Sequence, residues 1–242
     1  MSSLFGRLPV LLIISASGFL LAGCMDDEPT ENFVVKPYGK IATIIGYKGD
    51  AMELNVPSSI KGRSVTEIGQ YAFRDCTGLI EVGISDGITT IGEGAFSGCS
   101  YMTKISLPHS VTTIGRGAFS GCTGLTEVKI LYGATEIDEG AFQGCTGLTK
   151  ICIPYTVTHI GVDAFYGCTG LNEVYIADGV TEIGKKAFNG CSALTQVTIP
   201  ESVVKIEKDA FKGCVNLHQV SVPKGAYIAD NAFPSDTKID RY

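Results

Sequence analysis

The sequence is poor in the residues on which several common functions depend. Its 242 residues contain no tryptophan and only three histidines. Lysine and arginine number 19 against 25 acidic residues and form no cluster, which argues against nucleic-acid binding because phosphates are neutralised by clustered basic side chains. Only one apolar run approaches the length that spans a membrane, so the chain is not a polytopic membrane protein.

Catalytic and metal-binding motifs are also missing. The histidines, at positions 109, 159 and 218, fall at three different phases of the repeat described below, so they are not expected to converge. No GxSxG, HExxH, P-loop, GxGxxG or CxxC pattern occurs. We therefore predict a protein that is not an enzyme and that has no catalytic residue, no metal and no cofactor. An apolar fraction of 45% and a charged fraction of 18% argue against disorder and against a coiled coil.

The first segment is typical of a secretion signal. Arg7 precedes an apolar run from Leu8 to Leu21, and the run closes in Leu-Ala-Gly-Cys at Cys24. This ending resembles the lipobox of bacterial lipoproteins, which implies cleavage of residues 1–23 and acylation of Cys24. An ordinary signal peptide with a chance cysteine, or an uncleaved anchor, are the alternatives. Acyl chains would hold the protein on a membrane without a transmembrane helix.

An acidic stretch follows the cysteine. Four of the seven residues from Met25 to Glu31 are acidic, which favours a solvated tether over residues 24–37. The stretch also resembles the signal that sends some Bacteroidetes lipoproteins to the outer face of the outer membrane, although a plain linker fits it as well. The mature chain would carry 18 basic and 25 acidic residues, a net charge of −7, since residues 1–23 hold one arginine and no acid.

The rest of the chain is one unit repeated. The dipeptide Ala-Phe recurs with a period of 23 and a last interval of 22, and its phenylalanines are Phe73, Phe96, Phe119, Phe142, Phe165, Phe188, Phe211 and Phe233. A cysteine follows the first seven of them at a distance of three residues. A fixed period of this length indicates a solenoid, in which each coil buries its apolar face against its neighbours. The alternating β-branched residues in Leu125-x-x-Val128-x-Ile130 predict a short strand in each coil.

The consensus Cys-x-x-Leu-x-x-Val-x-Ile-Pro-x-x-Val-x-x-Ile-Gly-x-x-Ala-Phe resembles the BspA-like leucine-rich repeat over about residues 57–233. The resemblance implies a leucine-rich-repeat horseshoe, mainly β, with a parallel concave sheet and short strands and turns on the convex side. Residues 38–60 look like the N-terminal cap of this family, with two strands around Gly46–Asp50. We assign residues 61–233 to the solenoid and 234–242 to a C-terminal tail.

The cysteine column is expected to consist of buried free thiols. Stacked coils lie about 4.8 Å apart with parallel Cβ vectors, which leaves the Cβ atoms too far apart for disulfides. Cys152 is out of phase and is predicted to point outward. An exposed thiol there could form a crosslink or be oxidised, or it could be a tolerated replacement of serine.

Residues that point outward from the repeated strands are the candidate binding surface. One outward column alternates acid and base, so that each carboxylate would lie between ammonium neighbours and the face would carry no strong field. Tyr175 is the only aromatic residue predicted there and the best single anchor. The candidates are Glu81, Lys104, Glu127, Lys129, Lys150, Cys152, Glu173, Tyr175, Gln196, Thr198 and Gln219.

The sequence as a whole predicts a non-catalytic lipoprotein of the bacterial outer membrane, facing the cell exterior. Its solenoid would bind other proteins or cells, and the family resemblance implies partners such as extracellular-matrix or plasma proteins, epithelial surfaces or other bacteria. Two alternatives remain. The first is a glycan-binding accessory lipoprotein, which usually needs exposed aromatic platforms; the second is a passive envelope scaffold with no dedicated ligand.

Overall fold

The chain folds into a β-solenoid, described here by a computed structural model over residues 29–242. Each coil contributes one longer strand, one two-residue strand and a turn that carries the Ala-Phe dipeptide. The described residues contain no α-helix, and the fold predicted from the repeat is confirmed.

The N-terminal elements form a cap. A short 3-10 helix, Thr30–Asn32, leads into an antiparallel hairpin of β1 (Phe33–Tyr38) and β2 (Ile41–Tyr47). The cap continues with β3 (Glu53–Val56), β4 (Ser59–Ile60) and β5 (Arg63–Ile68). Phe33 is buried, and its ring lies 5.4 Å from Tyr47 and 6.4 Å from Phe73, which covers the first coil.

Two strand columns run the length of the solenoid. The longer strands are β6 (Glu81–Ile84), β8 (Lys104–Leu107), β10 (Glu127–Ile130), β12 (Lys150–Ile153), β14 (Glu173–Ile176), β16 (Gln196–Thr198), β18 (Gln219–Val222) and β20 (Lys238–Arg241). The short strands are β7 (Thr90–Ile91), β9 (Thr113–Ile114), β11 (Glu136–Ile137), β13 (His159–Ile160), β15 (Glu182–Ile183), β17 (Lys205–Ile206) and β19 (Tyr227–Ile228).

The two columns differ in continuity. The short strands and the cap form one sheet in the order β1-β2-β5-β7-β9-β11-β13-β15-β17-β19, with β4 paired to β5. The longer strands form three parallel sheets, β3-β6-β8-β10, β12-β14-β16 and β18-β20. The long-strand column is therefore interrupted twice, between β10 and β12 and between β16 and β18.

The turns supply a third line of bonds between coils. The amide of each Ala-Phe phenylalanine donates to the carbonyl oxygen of the alanine in the next coil, as from Phe142 to Ala164 at 2.8 Å. The phenylalanine rings stack in one column with centroids 4.9 to 5.5 Å apart and nearly parallel planes. Every one from Phe73 to Phe211 is fully buried, so the column forms the centre of a continuous narrow core.

Both ends differ from the ranges expected from the sequence. Strand β1 begins at Phe33, inside the stretch expected to be a tether, because Phe-Val-Val pairs with β2 and its first residue is buried. The hairpin turns at Gly39, which has a φ of 59°, while β2 and β3 lie on either side of residues 48–52, near the segment Gly46–Asp50 around which two strands were expected. At the other end, part of the expected tail is β20, which pairs in parallel with β18.

Candidate functional site

The ladder face is the surface formed by the outward side chains of the longer strands. Burial alternates along these strands, so that Ile151 and Ile153 are buried while Lys150 and Cys152 are exposed. All the candidate binding residues predicted on the strands occupy outward positions of this face. Their role in binding stays a prediction.

The acid–base ladder forms ion pairs between and within coils. The Lys104 Nζ lies 3.9 Å from a Glu127 carboxylate oxygen, and the Lys129 Nζ lies 3.2 Å from the other oxygen of that carboxylate. In the second sheet, the Lys150 Nζ lies 2.9 Å from Glu173, and the hydrogen bond to this carboxylate raises the pKa of Lys150. Since these side chains are largely exposed, solvent screens each pair and its contribution to stability is small.

The ladder does not extend over the whole face. Glu81 is in register with Lys104 and also with Glu53 of the cap, which places two carboxylates side by side. At the other end, Gln196 replaces a charge opposite Glu173, and the Gln219 amide donates to Asp240 at 2.5 Å. Among residues 29–242, the predicted alternation therefore gives two ion pairs between coils, Lys104–Glu127 and Lys150–Glu173, and none between Glu127 and Lys150, where the strand column is interrupted.

The first interruption of the long-strand column lies at the middle of the ladder face. Because β10 and β12 do not pair, an opening of about 520 Å³ lies between them. Its lining includes Glu127, Lys129, Leu131, Lys150 and Cys152, so an apolar floor is surrounded by two ammonium groups and a carboxylate. The repeat pattern gave no sign of this opening, because the residues of β10 and β12 fit the strand consensus as well as their neighbours do.

Tyr175 and Cys152 lie beside this opening. They are directly opposite each other in the pairing of β12 with β14, and Thr198 follows Tyr175 in the next strand. Tyr175 is 51% exposed, and Cys152 is an exposed free thiol, as predicted. A second opening, of about 550 Å³, lies at the other interruption and is lined by Gln196, Thr198 and Gln219 among others.

The thiol column has a role in the structure that the sequence did not reveal. Its free cysteines are buried from Cys99 to Cys214, and Cys76 is half-buried. Each buried thiol donates a hydrogen bond of 3.1 to 3.2 Å to the carbonyl oxygen of the phenylalanine 26 residues earlier, as from Cys145 to Phe119. Burial raises the pKa of Cys76 to about 11 and of Cys168 to about 12, so these thiols are held protonated. The buried thiols from Cys99 to Cys214 are therefore structural hydrogen-bond donors rather than nucleophiles.

Residues 29–242 hold no group of three or more His, Cys, Asp or Glu side chains placed to bind a metal ion. The histidines lie apart: His109 is next to Tyr132 at the edge of the solenoid, and His159 contacts Glu182 on the short-strand side. The ladder face thus offers charged pairs, one exposed aromatic ring and an opening, which is an arrangement for contact with a partner.

Comparison with known families agrees with this architecture. The BspA-type leucine-rich repeat region matches residues 52–170 and 135–241, in six copies. The chain belongs to the BspA-type leucine-rich repeat family. Leucine-rich repeat proteins generally mediate protein interactions and are generally not enzymes. A comparison with the curated protein sequences finds no match.

Solved structures of other leucine-rich repeat proteins resemble the chain. The leucine-rich repeat protein of T. pallidum is 28% identical, with a TM-score of 0.75 over 79% of this chain and 91% of that one. A leucine-rich cell surface protein from Faecalibacterium prausnitzii is 20% identical over 89% and 96%, with a TM-score of 0.36. The pneumococcal vaccine antigen PcpA is 19% identical over 81% and 75%, with a TM-score of 0.41.

The predicted lipid attachment at Cys24, with the signal peptide before it, lies outside the described residues. Within residues 29–242, no helix has the length and apolar character needed to cross a bilayer.

Proposed function

We propose that this protein is a non-catalytic surface lipoprotein that binds other proteins through the ladder face. The observation that carries the proposal is the opening between β10 and β12, beside the exposed ring of Tyr175. An aromatic anchor next to a concave, partly apolar site is the usual composition of an interaction hot spot. Hydrogen bonds of the short-strand sheet and of the turns continue past the interruption and hold the neighbouring coils in place, so that little ordering entropy opposes binding.

Charge on the ladder face favours short-range recognition over steering from a distance. The ammonium groups of Lys104, Lys129 and Lys150 are matched by Glu127 and Glu173 within 3.9 Å. A partner held by Tyr175 and the walls of the opening should therefore stay bound at moderate salt, since exposed charges are screened there. The proposed partners are extracellular-matrix proteins, plasma proteins and proteins of other bacteria.

Binding to such partners can be tested with purified protein on a panel of immobilised matrix and plasma proteins. Tyr175→Ala and Lys129→Ala should each weaken binding about tenfold, because anchors at hot spots contribute roughly 1–2 kcal/mol or more. Tyr101→Ala is the matched control, since Tyr101 is 68% exposed but lies in a turn. A bound partner that is insensitive to both ladder-face variants would overturn the assignment of this face.

Anchoring at the outer face of the outer membrane is the second part of the proposal, and it rests on the lipobox at Cys24 and the acidic residues after it. Protease added to intact cells should remove the wild-type protein. The Cys24→Ala variant should be lost from the membrane fraction. Protection of the wild type until the envelope is broken would contradict a surface location and would favour a periplasmic scaffold.

A glycan-binding role has less support on the ladder face, where, among the described residues, Tyr175 is the only aromatic side chain on a longer strand and Tyr242 lines the second opening. Sugar rings usually pack on several exposed aromatic faces. Binding of oligosaccharides that is lost in Tyr175→Ala, without any protein ligand, would favour that role. A passive scaffold would bind neither the immobilised proteins nor the oligosaccharides.

A further inference from the structure

A row of aromatic rings lies outside the ladder face, at the edge where each longer strand ends. His109, Tyr132 and Tyr155 occupy the same position in three consecutive coils, and we call them the edge row. Tyr132 is 59% exposed and Tyr155 is 58% exposed. None of the three belongs to the candidate site described above, and the repeat consensus does not require aromatic residues there.

The rings of the edge row stack on one another. The centroids of Tyr132 and Tyr155 are 5.2 Å apart with an angle of 29° between the planes, and those of His109 and Tyr132 are 5.9 Å apart. The two tyrosine rings are stacked at this separation, so part of each facing surface is covered while both side chains stay more than half exposed. Stacking also restricts the side-chain rotamers, which lowers the entropic cost of binding a partner there.

One end of the row leaves an aromatic face open. No ring packs on the outer face of Tyr155 among the described residues, because the next coil has Asp178 at this position. The backbone there is close: a Cβ atom on Gly179, whose φ is 135°, would collide with the carbonyl oxygen of Tyr155. The backbones of the two coils are therefore closely packed here, and Asp178 occupies the position of the row that follows Tyr155. At the opposite end the outer ring is His109, which is a poorer partner for a cation.

Two carboxylates continue the same position beyond Tyr155, and Lys224 follows them in the next coil. Asp178 and Glu201 are exposed, and the Gly179 amide donates to the Ser202 hydroxyl at 3.0 Å, which keeps the two coils in register. Within residues 29–242, neither carboxylate forms an ion pair. Burial, followed by the charges of Glu201 and Asp178, raises the pKa of Tyr242, so that phenol lies close to both acids.

We propose that the open face of Tyr155, together with Asp178 and Glu201, binds arginine side chains of a basic protein segment. A guanidinium group is planar and stacks on an aromatic ring while its N–H groups donate to a carboxylate. The stack would then continue by one position, with the guanidinium in place of a fourth ring. This surface is separate from the ladder face, so the inference does not depend on the function proposed for that face.

Arginine fits this site better than the other occupants considered. A sugar ring on Tyr155 would leave Asp178 and Glu201 without a charged partner, whereas a guanidinium group pairs with a carboxylate while it stacks on the ring. A second copy of the chain would have to present a basic segment to the edge, yet the chain carries a net charge of −6 with no basic cluster. A separate partner with an arginine-rich segment has the complementary charge.

The test uses the full-length protein and two fluorescein-labelled peptides that alternate glycine with either arginine or lysine. Fluorescence anisotropy should show the arginine peptide binding more tightly than the lysine peptide. Tyr155→Leu should weaken binding of the arginine peptide about fivefold, as expected for a cation–π contact of roughly 1 kcal/mol. Asp178→Asn should weaken it by a similar factor, while Tyr155→Phe should bind like the wild type.

Two control variants separate this site from general attraction to an acidic protein. Asp50→Asn removes one exposed carboxylate from the cap, and Tyr175→Leu changes the ladder face; neither should affect the arginine peptide. Circular dichroism and melting temperature establish that Tyr155→Leu is folded. Equal affinity for the two peptides, or equal losses in Asp178→Asn and Asp50→Asn, would overturn the proposal. So would an oligosaccharide or self-association that depends on Tyr155 while the arginine peptide does not bind.

Discussion

The carbonyl oxygen of each stacked phenylalanine from Phe73 to Phe188 accepts two hydrogen bonds in the described solenoid. In the coil that begins at Cys122, the Phe119 oxygen accepts from the backbone amide of Cys122 at 3.2 Å and from the thiol of Cys145 at 3.2 Å. Cysteine is suited to this position because it is small and apolar and yet carries one weak donor. The recurrence of cysteine at the same position of each coil thus has a physical reason in the packing of neighbouring coils.

Replacement of one buried thiol should destabilise the solenoid. Cys145→Ala should lower the free energy of unfolding by about 1–2 kcal/mol, because it leaves a small cavity and removes the donor to Phe119. Urea denaturation followed by circular dichroism measures the change. Cys152→Ala, on the ladder face, is the matched control and should stay within about 0.5 kcal/mol of the wild type. Equal effects would argue against a structural role for the thiol column.

Reaction with iodoacetamide should follow thiol exposure and pKa. The thiolate is the reactive form, so at pH 8 Cys152 should be alkylated first because it is exposed. Burial raises the pKa of Cys76 to about 11, so its labelling should rise only as the pH approaches that value. The fully buried thiols should react after denaturation. Peptide mass mapping identifies each site, and early labelling of Cys145 would contradict the structure.

Among the elements, the phenylalanine column contributes most to the core. Phe142 stacks between Phe119 and Phe165 with centroids 5.1 and 5.2 Å away, whereas Phe233 at the last coil stacks only on Phe211. Phe142→Ala should therefore lower the free energy of unfolding by about 3–5 kcal/mol, as large core truncations do. Phe233→Ala should lower it by clearly less. Denaturation curves for the two variants give the comparison, and a larger loss at position 233 would be evidence against it.

The C-terminal strand is held by side-chain bonds to the preceding coils. The Arg241 guanidinium donates to the carbonyl oxygens of Pro223 at 2.8 Å and Ala226 at 2.7 Å, and the Tyr242 hydroxyl donates to that of Ile199 at 2.7 Å. Even so, Ile239 is 39% exposed at an inward position, since no coil within residues 29–242 covers it.

Loss of the arginine contacts should loosen this end alone. In Arg241→Ala, hydrogen exchange should become faster in β18 and β20 and stay unchanged in β8, because coils of a solenoid depend mainly on their neighbours. Mass spectrometry of peptides from the two regions measures the difference. A uniform rise along the chain would indicate global destabilisation instead.

The repeat made most of the elements predictable. Its constant period fixes which side chains point inward, so the phenylalanine and cysteine columns and the outward position of Cys152 followed from the sequence. The start of β1 at Phe33 did not, since the hairpin lies outside the repeat and its pairing with β2 depends on long-range contacts. The same holds for β20, whose sequence departs from the consensus.

At the scale of the whole molecule, the two interruptions of the long-strand column could not be predicted from the sequence. The side chains of β10 and β12 match the consensus, so nothing in the repeat distinguishes these two strands, which do not pair, from the neighbouring strands that do. The edge row was also not predicted from the sequence, because Tyr132 and Tyr155 lie in turns, outside the strand pattern that predicts the outward columns. Their recurrence at the same phase of the repeat was the available signal.

The charge distribution suits a protein that meets its partners at close range. The sequence is acidic overall, with a net charge of −6, while Lys104, Lys129 and Lys150 are matched by acids on the ladder face. A neutralised face within an acidic molecule discourages non-specific attachment to other acidic surfaces and leaves the opening beside Tyr175 as the distinctive feature.

The most direct test of the proposed function is adhesion of living cells that display the protein to surfaces coated with matrix and plasma proteins. Cells with the wild-type protein should adhere at moderate salt. Cells with equal surface amounts of the Tyr175→Ala, Lys129→Ala double variant should adhere no better than cells without the protein, while Tyr101→Ala should leave adhesion intact. Equal adhesion by the double variant and the wild type would contradict binding through the ladder face.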